Sequence, residues 1–298
     1  MTDLIRDRRD SRPVEAACAA AQAAADDAGI DIRPLDSVGE LEAVRRLYEH
    51  IWRTGENNPP VTADMLRALS KAGSYVSGAF DGDRMVGACF GFFSPPARAA
   101  LHSHIAGVLA GMQGRNVGFA MKLHQRAWAM LRGVGEICWT YDPLVRRNAY
   151  FNLAKLGADP AEYLPDFYGP MDDDINRADA TDRVLVRWRL ETPAVEAACA
   201  GRPAVADAAA ARAAGAAVAL EASAAGGPLV RYAGSDTVLV GVPGDVEAMR
   251  ESDPARAADW RRALRDVLGE LLGQGGRVRG FDRTGWYIVD RVDRQEME

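Results

Sequence analysis

The chain has 298 residues, 48% of them hydrophobic, and a formal net charge of −6. That length predicts about two domains with ample material for buried cores, and the mild acidity argues against a nucleic-acid surface or a basic membrane-docking face. No apolar run approaches the ~20 residues that span a bilayer, and the charged stretch Met1 to Asp10 lacks the apolar core of a signal peptide, so a cytoplasmic protein is expected.

In chain order, Pro13 to Ala28 is Ala-rich and predicts a helix that Gly29 ends. A short strand, Ile30 to Leu35, follows. Ser37 is a plausible N-cap for a helix with apolar residues at Leu41, Val44, Leu47, Tyr48 and Ile51. Residues 54–60 read as a loop and Thr62 to Leu69 as a helix. Tyr75–Phe80 and Met85–Phe93, joined by Asp81-Gly82-Asp83-Arg84, predict a hairpin. Pro95 and Pro96 break the run, and Leu101–Leu109 is the next strand.

A Gly-rich turn then leads into a helix with an apolar stripe at Val117, Ala120, Met121, Ala127, Trp128 and Leu131. Glycines at a strand-to-helix junction let backbone N–H groups crowd round an anion, and the helix N-terminus adds its positive dipole end. Glu136–Tyr141 is a strand, Asn148–Leu156 a short helix and Val184–Leu190 a strand. Ala194 to Gly227 reads as an alanine-dominated connector with helical stretches. Strand Thr237–Val242, helix Pro254–Leu272 and strands Arg277–Phe281 and Trp286–Val292 form a final α+β unit. Cys18, Cys89, Cys138 and Cys199 lie far apart without CxxC pairing, which argues against disulfides and metal ligation and for buried, reduced thiols at Cys89 and Cys138.

His102 and His104 are two apart on a strand and so share one face. A neutral histidine near pH 7 suits amine deprotonation; a histidine satisfied in the core or at a sheet edge is the other reading. His124 within a helix reads as structural, and His50 is a weaker candidate.

The element order over residues 30–190, with Gln113-Gly114-Arg115-Asn116-Val117-Gly118 after the fourth strand, resembles the GNAT superfamily of CoA-dependent N-acyltransferases. The family's turn reads Gln/Arg-x-x-Gly-x-Gly/Ala. Asn116 stands for its first glycine, and asparagine tolerates left-handed backbone best after glycine. The lead-in Val108 to Gln113 and the later Ala149…Lys155-Leu156-Gly157 also match the family's strand end and closing helix.

The resemblance implies an α+β fold: a GNAT-like mixed central sheet flanked by helices, plus a smaller C-terminal α+β unit. The implied domains are an N-terminal helical extension (1–29), the acyltransferase domain (30–192), a connector (193–228) and a C-terminal domain (229–298). The implied activity moves an acetyl or succinyl-like group from acetyl-CoA or another acyl-CoA to an amine, with no metal. The partner implied is a small-molecule amine, with an amino acid the leading candidate, and with no nucleic acid and no membrane; a homodimer is admitted.

By the same resemblance Ala106, Gly107 and Val108 would face the pantetheine. Gln113, Gly114, Arg115, Asn116, Val117 and Gly118 would cap the pyrophosphate, and Asn148 and Asn152 could bond the pantetheine amides. His104, then His102, is the candidate base. The family's acid is a tyrosine where this chain has Leu153; Tyr150, about one helical turn earlier, is the substitute and Tyr141 a second choice. Glu49, Trp52, Asn57 and Asn58 lie where acceptors enter. The Asp166-Phe167-Tyr168-Gly169 loop with Asp172, Asp173 and Asp174 would suit a cationic amine, and Arg146, Arg147, Arg187 and Arg189 a carboxylate. The missing tyrosine and Asn116 also admit a catalytically degenerate CoA-binding or partner-binding module.

Overall fold

The computed structural model describes residues 12–54, 58–171, 179–231 and 234–291. Asn57 and Asp172–Asp174, named above, lie outside the described residues. Two compact units are present, one of residues 1–51 and 61–137, the other of 52–60 and 138–298.

The first unit begins with α1 (Arg12–Ala28), whose buried face is Ala17, Ala21, Ala25 and Ala28. That spacing is one helical face, and it packs on α4, described below. Gly29, at φ +63°, ends the helix. Next come β1 (Asp31–Pro34) and α2 (Val38–Trp52). Ser37 and Glu40 cap α2 reciprocally: the Ser37 hydroxyl donates to Glu40 at 2.6 Å, and the Glu40 amide donates back to Ser37 Oγ at 3.4 Å. α3 (Ala63–Lys71) is capped by Thr62.

The expected hairpin is β2 (Tyr75–Asp81) and β3 (Arg84–Phe93), followed by β4 (Ala100–Val108). The strands lie in the order β1-β2-β3-β4, each antiparallel to the next. α4 (Val117–Met130) carries the expected core stripe, except that Leu131, just past its end, is 62% exposed.

Two glycines fit α4 and β4 against β3. A Cβ on Gly87 would meet Met121 Sδ at 2.8 Å. A Cβ on Gly91 would meet the His102 carbonyl oxygen at 2.6 Å, beside the bulge between Phe90 and Gly91. Backbone cannot swing aside as a side-chain tip can. Gly91→Ala is therefore expected to lower stability by about 1–3 kcal/mol in chemical denaturation; an unchanged midpoint would show that the bulge yields.

The second unit takes up the chain within β5 (Glu136–Tyr141). A short helix, α5 (Arg146–Ala149), runs directly into a π-helical turn, Tyr150–Lys155, where the Leu156 amide donates to Phe151 O at 3.0 Å. β6 (Asp159–Leu164) and β7 (Arg183–Arg189) are antiparallel, in the order β5-β7-β6. β6, which the sequence reading does not include, carries Pro160. As the edge strand, with a register shift after Pro160, it tolerates a residue that cannot donate.

α6 (Pro193–Cys199) and α7 (Ala208–Ala213) precede β8 (Ala217–Ala222), β9 (Pro228–Val230) and β10 (Thr237–Gly241). Strand β8 replaces part of the expected helical connector. Pairing of β8 to β10 and β9 overrides alanine's helix preference. α8 (Val246–Ser252) precedes α9 (Pro254–Leu264), which continues through a second π-helical turn, Arg265–Gly269, into α10 (Glu270–Gly273). β11 (Arg277–Asp282) and β12 (Trp286–Asp290) complete a five-stranded sheet ordered β11-β12-β10-β8-β9, in which β8 and β10 are parallel. The fold class is thus α+β, a mixed sheet flanked by helices with a further sheet in the C-terminal part.

A buried ionic cluster ties this unit together. Arg261 grips Asp142 with two nitrogens, at 2.7 and 2.8 Å, and reaches Asp179 at 2.9 Å. Arg250 joins the same two carboxylates at 2.5 and 3.0 Å. Asp182 accepts from Arg265, the Tyr163 hydroxyl and the Asp166 amide. All four cysteines are free thiols; Cys89 and Cys199 are buried, and Cys138 only half-buried.

Candidate functional site

The turn before α4 is shaped by two left-handed residues, Gly114 at φ +85° and Asn116 at φ +59°. Asn116 is the N-cap of α4, and its carbonyl accepts from the Phe119 and Ala120 amides. The first turn of a helix leaves N–H groups without intrahelical acceptors, here those of Val117 and Gly118. No acidic side chain occupies that turn. A Cβ on Gly118 would meet only Val108 Cγ2, at 4.0 Å, and one on Gly114 nothing within 4 Å. The protein's own packing therefore does not demand glycine at 118. Space is open at the Cβ position of Gly118 beside those amides, and a helix N-terminus of this kind can accept an anion.

Arg115, expected to supply charge to that anion, is engaged elsewhere. Its Nε and one terminal nitrogen donate to Ala28 O at 3.2 and 2.9 Å, and the same terminal nitrogen reaches Gly29 O at 3.1 Å. The other terminal nitrogen pairs with Asp81 at 2.7 Å.

On β4, His102 and His104 share a face as expected, with ring centroids 5.8 Å apart. Phe92 packs against both, at 5.1 and 5.8 Å, and Phe90 meets His104 edge-on at 5.4 Å. Burial lowers the pKa of both. His102 falls to about 4, through burial first and then His104 and Lys122. Ala106 on the same face is exposed, while Gly107 and Val108 pair with Ala88 and Gly87. Ser103 points the opposite way, where the buried Lys122 donates to its hydroxyl at 2.9 Å and to Gln125 at 3.1 Å. Lys122 and Gln125 lie off the apolar stripe read from the sequence, and periodicity gave no sign that they are buried. His124 Nδ1 meets the Tyr75 hydroxyl at 2.8 Å, and His50 is exposed at the end of α2.

In the second unit, Tyr141 is buried with its hydroxyl 3.2 Å from that of Tyr287, which itself donates to Pro143 O at 2.8 Å. Burial first drives the Tyr141 pKa far upward. Asn152 is buried, and its Oδ1 accepts from Trp139 at 3.1 Å. Asn148 is half-buried at the start of the same segment. Tyr150 is half-buried, with Arg283 5.8 Å over its ring. The π-helical turn corrects the expected geometry: 3.6 residues per turn does not apply, so Tyr150 and Leu153 are not stacked one turn apart.

The four arginines do not converge. Arg146 bonds Arg283 O at 3.0 Å, Arg147 pairs with Glu247 at 2.7 Å, and Arg189 with Asp159 at 3.0 Å. Arg187 lies opposite Asp159 on β7. The Asp166 loop closes on itself, its carboxylate accepting from the Thr181 amide at 3.0 Å, with Phe167 and Tyr168 exposed. This unit also holds a cavity of about 640 Å³ lined in part by alanines of residues 194–216, with Asp159, Asp207, Asp236, Arg277 and Arg279 also on its wall. Among the described residues no group of three metal-ligating side chains occurs, and no helix is long and apolar enough to cross a membrane.

No family model and no curated protein matches the chain. Solved structures do. An N-acetyltransferase from Staphylococcus aureus Mu50 is 14% identical at a TM-score of 0.45, covering 54% of this chain and 99% of its own. A Salmonella typhimurium protein solved with its cofactor acetyl-CoA is 17% identical at 0.45, over 56% of this chain and 98% of its own. An Arabidopsis thaliana protein solved with the bisubstrate analogue CoA-Ac-MVNAL is 18% identical at 0.42, over 53% and 97%. At such identities the likeness concerns the arrangement of helices and strands, and the acceptors of those proteins are their own.

Proposed function

We propose that this chain is a GNAT-type N-acyltransferase that moves an acyl group from acyl-CoA to the amine of a small molecule. The observation that carries the reading is the turn at residues 113–118: left-handed Gly114 and Asn116 leave the first amides of α4 open beneath an unobstructed Gly118. In the reaction the amine nitrogen bonds to the thioester carbonyl carbon, and the C–S bond breaks. The nitrogen's proton passes to a base, and the sulfur leaves as a thiolate that takes up a proton from the protonated base or from water.

His104 is the better base of the pair. Burial lowers both histidines, and His102, brought to about 4, is the poorer acceptor of a proton from an amine. Incubation with acetyl-CoA and a panel of amines and amino acids should release free thiol, with a matching N-acyl product by mass spectrometry. His104→Ala is expected to lower kcat about 100-fold at pH 7 and much less at pH 9, where more of the amine is already neutral. Equal losses at both pH values would remove the base role. Leu153 at the position of the family's tyrosine, with the second-choice Tyr141 sealed against Tyr287, favours a second reading as a binding module without catalysis. CoA binding with no turnover across the panel would select it.

A further inference from the structure

We propose that Arg115 is a positioning residue that latches α1 to the turn before α4, so that docking of α1 and binding of the anion at that turn are coupled. The coupling rests on the CoA reading of the turn; the latch itself does not.

The last carbonyls of a helix lack intrahelical donors and carry the negative end of its dipole. α1 worsens this end for itself: Asp26 and Asp27 lie in its last turn, and no basic residue does. Arg115 supplies what is missing. Two of its nitrogens cap Ala28 O and Gly29 O, and the third holds Asp81 at the end of β2. Arg115 also sits between the two left-handed residues of the turn, Gly114 and Asn116. Its backbone is thus part of the anion cradle while its side chain is fixed 86–87 residues away in sequence. Releasing that side chain would free both α1 and the turn. A Cβ on Gly29 would come within 3.1 Å of the Arg115 guanidinium, so the chain leaves no spare room there.

The full chain, Arg115→Ala, Arg115→Lys and Asp81→Asn should be compared by hydrogen exchange and by CoA titration calorimetry. In the absence of ligand, Arg115→Ala is expected to speed exchange of the amides of residues 17–28 at least tenfold, leaving β2 and β3 unchanged. Arg115→Lys should fall between. CoA should slow α1 exchange in the parent chain and bind Arg115→Ala about tenfold more weakly.

Asp81→Asn separates the latch from simple charge. Removing a carboxylate near a phosphate site should tighten binding if charge alone matters; a loosened latch weakens it three- to fivefold. Tighter binding by Asp81→Asn, or CoA saturation that leaves α1 exchange unaltered, would overturn the coupling. Unaltered α1 exchange in Arg115→Ala would overturn the latch, whatever CoA does. No CoA binding by the parent chain would overturn the CoA reading and the coupling, with the exchange of Arg115→Ala still deciding the latch.

Discussion

Asp142→Ala is expected to destabilise the second unit by about 3–5 kcal/mol, because removing one partner of a buried pair strands the other's charge. Arg250 and Arg261, 3% and 2% exposed, would both lose Asp142, with Asp179 the carboxylate among the described residues still in reach of both. The Leu144 amide, 2.9 Å from Asp142, would lose its acceptor too. Asp142→Asn keeps the shape and some hydrogen bonds and should cost less. Urea unfolding of both variants checks the order; a loss below about 1 kcal/mol for Asp142→Ala would mean that water or Asp179 rescues the guanidiniums.

The same carboxylate fixes a pH dependence. Burial alone would raise its pKa, but Arg261 and Arg250 together hold it well below the ordinary carboxylate range. The folded value is thus below the unfolded one, near 3.9. The stabilisation is complete above roughly pH 5 and drains away as acid protonates the unfolded chain first. Acid unfolding of the second unit should therefore set in below about pH 4, and Asp142→Asn should flatten that slope.

Gly118→Glu is expected to abolish stabilisation by CoA while leaving the ligand-free protein as stable or more so. A ligand at 100 times its dissociation constant adds about 2.7 kcal/mol to the folded state. A carboxylate projecting over the first turn of α4 would occupy the space that Gly118 leaves open and repel a diphosphate. For the bare protein the change is favourable on two counts: glutamate is the better helix former, and an acid near a helix N-terminus gains about 0.3–1 kcal/mol. General instability is thereby separated from loss of the site. A variant whose melting temperature still rises with CoA would place the diphosphate elsewhere.

The turn itself was legible because its signal is local: asparagine tolerates left-handed backbone best after glycine itself, and Asn116, like Gly114, takes it. The β2–β3 hairpin and the Ser37 cap were legible for the same reason. The ionic cluster was not, since Asp142 and Arg261 are 119 residues apart and their pairing leaves no periodic trace. Nor was the π-helical turn at Tyr150–Lys155, which shifts side chains without changing composition. Arg115 reads as a cation beside an anion site until the carbonyls of Ala28 and Gly29 are seen beneath it.

The alanine face of α1 has a mechanical consequence. Four methyl groups at Ala17, Ala21, Ala25 and Ala28 let the helix lie close to its neighbour but give it almost no relief. Bulky side chains interlock like teeth and forbid sliding; a smooth face permits a glide along the helix axis at little cost. α1 is thus held sideways by its flank, while at its tip it runs through Gly29 into β1, itself paired to β2, and the proposed latch adds a second hold there. Substitutions along the flank should change how firmly the rod sticks, and those at the tip where along its axis it rests.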